Sequence, residues 1–176
     1  MDNDLWIRPY IAEIKDELYE KLMGFIQEKR RNEQMRNHQE IIKWYTYNNL
    51  MFWWMQITKG QQNLAEYLER YECRRVGIYG IGCMGKLCCD EILQSKEMEI
   101  PYIIDRSFKG NYKGISVISP ENVDCQVDAI IITPVCEYLE IANVLCERTN
   151  AKLISLEDMI VILNEYSGQN YYGKCH

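Results

Sequence analysis

The sequence has no Cys-x-x-Cys pair and only two histidines, His38 and His176. A zinc site would have to gather distant ligands, which argues against a metal centre. The eight cysteines (Cys73, Cys83, Cys88, Cys89, Cys125, Cys136, Cys146 and Cys175) then read as small apolar side chains in a reducing compartment. No apolar run approaches the ~20 residues of a membrane span. No apolar h-region follows the acidic opening Met1-Asp2-Asn3-Asp4, so no secretory signal is read and a cytoplasmic protein is expected. A basic excess is also missing. Residues 1–75 carry twelve basic and twelve acidic side chains, and residues 76–176 carry eight and fourteen. The net charge of −6 therefore falls on the second part, which argues against nucleic acid as a partner. Internal repeats and low-complexity segments are absent as well.

What is present is a globular composition, 47% hydrophobic and 26% charged, in 176 residues. That length suffices for one ordinary core, or a small domain with an appendage. The most informative stretch is Arg75–Leu87, R-V-G-I-Y-G-I-G-C-M-G-K-L. A short apolar run (Val76, Ile78, Tyr79) leads into Gly80, Gly82 and Gly85, the G-x-G-x-x-G spacing of a strand, a tight turn and a helix start. Gly80 permits the sharp turn, Gly82 lets a phosphate approach the main chain, and Gly85 lets the helix sit close to the strand. Backbone N–H groups of Ile81, Cys83 and Met84 complete the cradle, backed by the positive end of the helix. Lys86–Lys96 follows as a crossover helix. Pro101 then opens a second strand, Tyr102–Ile104, ending at Asp105. Asp105 lies where a dinucleotide site places an acid for a ribose diol, favouring NAD over NADP. Arg106 beside it could offer a cation to a 2′-phosphate. Cys83 sits inside the turn, with a redox role as the sharper alternative to simple packing.

The rest of the chain frames this turn. Residues 8–31 read as an amphipathic helix with Ile11, Ile14, Leu18, Leu22 and Phe25 close to a heptad seam. Glu28–Glu33 reads as a solvated face or a link between helices. A second, aromatic helix follows around Trp44–Met55, which holds three of the four tryptophans. It can be a core helix, or an interface for a homo-oligomer or protein partner through Ile11–Met55. Lys59-Gly60 breaks it, and Gln62–Tyr71 forms a short lead-in helix. Beyond Asp105, Arg106–Gly114 reads as a loop and Ile115–Ile118 as a strand. No full crossover helix precedes Asp128–Thr133, the clearest buried strand, which ends at Thr133-Pro134, the expected pocket floor. Glu137–Arg148, Lys152–Ser155 and Glu157–Tyr166 then read as helix, strand and helix. The expected fold is α/β, an abbreviated Rossmann-like parallel sheet over 74–166. A helical, hairpin-like appendage precedes it over 1–73, and a loose tail follows over 167–176.

Residues 74–163 resemble the small Rossmann-like domain of bacterial surface-polysaccharide cluster proteins. They are similar to the N-terminal domain of sialic-acid and bacillosamine-type sugar acetyltransferases. The shared residues are I-Y-G-x-G-x-x-G at Ile78–Gly85, I-D at Ile104-Asp105, G-I-x-V-I-S-P-E at Gly114–Glu121, D-A-I-I-I-T at Asp128–Thr133 and I-S-L-E-D at Ile154–Asp158. The resemblance implies NAD or a nucleotide sugar as ligand. It does not carry over the acetyltransferases' catalytic His, because nothing here resembles their β-helix of hexapeptide repeats. The Tyr-x-x-x-Lys pair of short-chain dehydrogenases is missing too, since none of the thirteen tyrosines has Lys four residues later. The first reading is thus a nucleotide-binding module, accessory to polysaccharide biosynthesis and not catalytic alone. A small NAD-dependent or nucleotide-sugar-modifying enzyme that works with a partner is the second. The third is an oligomeric interaction protein with a vestigial pocket.

Overall fold

The structure is a computed structural model; it describes residues 7–123 and 126–172, with side chains over 20–123 and 126–165. Its elements run α1 (Ile7–Lys59), α2 (Leu64–Arg70), β1 (Val76–Tyr79), α3 (Cys83–Ile92), β2 (Tyr102–Ile104), β3 (Gly110–Tyr112) and β4 (Ile115–Ile118). They continue with β5 (Ala129–Ile132), α4 (Tyr138–Leu145), β6 (Lys152–Ser155) and α5 (Leu156–Tyr172). The chain divides into two compact units, Met1–Thr46 and Tyr47–His176.

The first unit corrects one expectation. Helix α1 is continuous, so the appendage is not a hairpin. Glu28–Glu33 stays helical because Glu, Lys, Arg and Gln are good helix formers and no Pro interrupts them. The seam read at Ile11, Ile14 and Leu18 lies outside the described side chains. Its continuation, Leu22 and Phe25, is exposed, as are Met35, Ile41, Ile42, Trp44 and Tyr45.

The second unit holds a six-stranded sheet in the order β3-β4-β2-β1-β5-β6. Five strands are parallel, and β3 pairs antiparallel with β4. This is the abbreviated Rossmann-like α/β sheet. From β1 the chain winds outward through β2 to β4, then returns to lay β5 on the other side of β1. Such a reversal opens a crevice at the carboxyl ends of the two strands that flank it. Successive side chains of the central strands, all buried, enter cores on opposite faces of the sheet. Val76 and Ile78 of β1 and Ala129 and Ile131 of β5 pack with Leu50, Trp54, Ile57, Leu68, Cys88, Ile92 and Leu163 from four helices. Tyr79, Ile104, Ile130 and Ile132 face Ile141 and Leu145 of α4. A sheet covered on both faces needs the continuous β-branched run found at Ala129–Ile132.

Two details depart from the sequence reading. Part of the Arg106–Gly114 loop is the strand β3. The closing helix runs to Tyr172, beyond the Tyr166 read as its end. Residues 173–176 lie outside the described residues. Among the described residues no helix is long and apolar enough to cross a membrane.

Three helices meet at one carboxylate. Glu91 on α3 accepts a hydrogen bond from Trp54 Nε1 at 2.6 Å and another from the Leu64 N–H at 2.7 Å. Leu64 is the first residue of α2, where backbone N–H groups lack intrahelical acceptors. Glu91 thus fixes α1 and α2 against α3. Glu91→Ala strands both donors in a partly buried site and is expected to cost about 2 kcal/mol or more in urea unfolding. A loss under about 0.5 kcal/mol, the scatter of an ordinary surface change, would show that neither bond matters to stability.

Candidate functional site

The glycine stretch folds as strand, turn and helix. Gly80 has φ +92°, a left-handed conformation that favours glycine. A Cβ there would also meet Thr133 Oγ1 at 2.9 Å and the Pro134 ring at 3.0 Å. Gly85 is confined more severely, since a Cβ on it would lie 1.8 Å from the Gly80 carbonyl oxygen. Helix α3 therefore rests directly on the end of β1, which only a residue without a side chain allows. Gly82 differs from both. A Cβ there would meet nothing within 4 Å. The fold does not require glycine at this position, and the space it leaves open belongs to a cavity.

That cavity, about 500 Å³, lies at the carboxyl ends of β1 and β5. Gly80, Gly82, Cys83, Met84 and Gly85 form one side, with Asp105, Thr133 and Pro134 beside them. Its volume falls within the range of small-molecule sites. Gly82 is the N-cap of α3, and no side chain caps the helix. The first backbone N–H groups of α3 therefore present donors and a positive dipole end at this point. Cys83 is exposed and Met84 is at the edge of burial, and the cavity persists beside both.

Asp105 holds the turn from below. Its Oδ2 accepts the Ile81 N–H at 2.9 Å, and its Oδ1 accepts the N–H groups of Ser107 at 2.8 Å and Phe108 at 2.9 Å. A carboxylate offers about four acceptor positions, so a ribose diol finds one left, on Oδ2. Burial pushes the Asp105 carboxyl up. The Ile81, Phe108 and Ser107 donors and the Arg106 charge outweigh it, and its pKa sits below the ordinary carboxylate value. The Ile81 side chain points into the core while its N–H is used by Asp105, so Ile81 contributes no donor to the cavity. Thr133 is also engaged, with Oγ1 donating to the Tyr79 carbonyl at 2.9 Å and the Gly80 carbonyl 3.2 Å away. Arg106 is exposed and does not line the cavity.

The fourth wall was not legible as part of a site. It is Tyr47, Asn48 and Met51 of α1. Only one signal could have hinted at it: residues 44–58 carry no charge between Lys43 and Lys59. The cavity lining holds one carboxylate, one thiol and no basic side chain. Recognition of an anion here rests on backbone N–H groups and the helix dipole. Among the described residues no cluster of three or more His, Cys, Asp or Glu could hold a metal ion.

Two outcomes are expected. Gly82→Ala should leave stability within about 1 kcal/mol, while Gly85→Ala should prevent native folding, both read by circular-dichroism melts. Equal behaviour of the two variants would contradict the close approach at Gly85. The second concerns pH. Asp105 titrates lower folded than unfolded, so its contribution is present above the unfolded value of ~3.9 and is lost as pH falls through the folded one. Asp105→Asn should therefore flatten the acid limb of a melting-temperature profile.

Comparison with protein-family models and with curated proteins finds no match to this chain.

Proposed function

We propose that the chain is a nucleotide- or dinucleotide-binding module without a catalytic activity of its own. The observation that carries this reading is Gly82, a glycine the fold does not need, opening onto a cavity at an uncapped helix N-terminus. A phosphate at that position would accept from the N–H groups of Cys83 and Met84 and face the positive end of α3. Asp105 would add one hydrogen bond to a ribose. Of the titratable groups in the lining, Asp105 already accepts three backbone hydrogen bonds and is committed to holding the turn, which supports binding over turnover. NAD and a nucleotide sugar both present the required phosphates. The sequence resemblance of residues 74–163 supports an accessory role for such a module in bacterial surface-polysaccharide biosynthesis.

The test is a thermal-shift panel with NAD, NADP, UDP, ADP, UDP-glucose and coenzyme A. A binder at a hundred times its dissociation constant stabilises the fold by ~2.7 kcal/mol. Gly82→Val should abolish that shift while keeping the unliganded melting temperature close to the wild type. No shift with any member at millimolar concentration would overturn the reading.

A second reading is favoured by the first unit. Its helix carries exposed Leu22, Phe25, Met35, Ile41 and Trp44, with Trp44 68% exposed. Large apolar side chains left in water on one helix commonly mark an association surface. Self-association through this segment would give a dimer or larger in size-exclusion with light scattering. Phe25→Glu with Trp44→Glu should return it to monomer, and a monomeric wild type would remove this reading.

A further inference from the structure

A second cavity, about 520 Å³, lies next to the first along the same two helices. Residues 51, 54, 55 and 58 of α1 border it, one continuous stripe at spacings of three and four that begins at Tyr47. On α3 the border runs on from the glycine turn through Leu87, Asp90 and Glu91, and Gln94 continues it just past the helix. Met51 lines both cavities. The two spaces therefore adjoin along α1 and α3, with Met51 bordering both.

The chemistry of the second space differs from the first. Its carboxylates are already occupied: Asp90 pairs with Lys113 Nζ at 2.7 Å and accepts from Tyr112 Oη at 3.0 Å, and Glu91 accepts from Trp54 and Leu64. The rest of the lining is apolar surface from Met51, Met55 and Leu87, with the amides of Gln62 and Gln94 and the ammonium of Lys59 beside it, while the Asn63 amide is spent on Glu66 as the cap of α2. Such a lining suits a neutral group with an apolar face and several hydroxyl oxygens, which Lys59 and the two amides can hydrogen-bond.

We propose that this second cavity is a subsite for the non-nucleotide half of a two-part ligand. The diphosphate would sit at the glycine turn and the neutral group attached to it would run past Met51 along α3. This rests on the nucleotide-binding reading above. It adds that the molecule selects for what the diphosphate carries, with Met51, Met55 and Leu87 as the selecting residues.

Isothermal titration of the full chain with UDP against UDP-glucose, and ADP against ADP-glucose, tests it. At least one two-part ligand should bind tenfold or more tightly than its own diphosphate. Leu87→Trp fills the second cavity without touching the first, and should erase that gain while leaving the diphosphate affinity within twofold. Met55→Trp, at another exposed position of the same cavity, provides an independent check should Leu87→Trp fold poorly. Diphosphates that bind as tightly as their two-part derivatives would overturn the subsite and leave the glycine-turn reading standing. A gain that survives both tryptophan variants would overturn it too. Binding of neither class would remove both.

Discussion

The structure depends on one contact, the seat of Gly85 on the Gly80 carbonyl. With no room for a single methyl group between them, the start of α3 is tied to the end of β1. The other features of the cavity follow from this. The first residues of α3 line the cavity beside the point where the sheet reverses its winding. The Ile81 N–H is turned toward Asp105, and Thr133 reaches the Tyr79 and Gly80 carbonyls from β5. Two strands and one helix are locked together by backbone and short side chains, so the turn keeps its shape without a ligand. Preorganisation of this kind lowers the entropy that a ligand must overcome.

A second constraint works from the opposite side. Glu91 collects donors from two other helices and sets the distance between α1 and α3. The partly buried carboxylate thus ties three helices together beside the second cavity, which it also lines. The division of labour is clear: glycine contacts shape the first cavity, and a charge-assisted hydrogen-bond pair ties the helices beside the second.

The sheet was largely legible because its signals are local. Val76–Tyr79, Tyr102–Ile104, Ile115–Ile118, Ala129–Ile132 and Lys152–Ser155 are short apolar runs bounded by Gly, Pro or charge, and each is a strand. β3 was not legible, since Gly110-Asn111-Tyr112 has no alternation and becomes a strand only by pairing with β4. The continuity of α1 was hidden for the reverse reason: its polar middle has strong helix formers but no apolar stripe. At the site, the glycines and Asp105 were visible as a spacing. The acceptor positions that Asp105 spends on its own loop were not, because they depend on where Ser107 and Phe108 turn back. The wall built by Tyr47, Asn48 and Met51 is a tertiary fact, brought about by packing of Leu50, Trp54 and Ile57.

The cysteines beside the turn carry a practical consequence. Cys88 is fully buried, and burial pushes its thiol well up; burial, followed by the Asp90 charge, pushes Cys89 up to about 11. Both are protected from alkylating reagents. Cys83, five residues earlier, is exposed on the cavity wall. The three thiols therefore form a chemical gauge: a small electrophile reaches Cys83 on the cavity wall, so anything placed in the cavity would slow its labelling, while the two buried neighbours report whether the helix that carries all three is still folded.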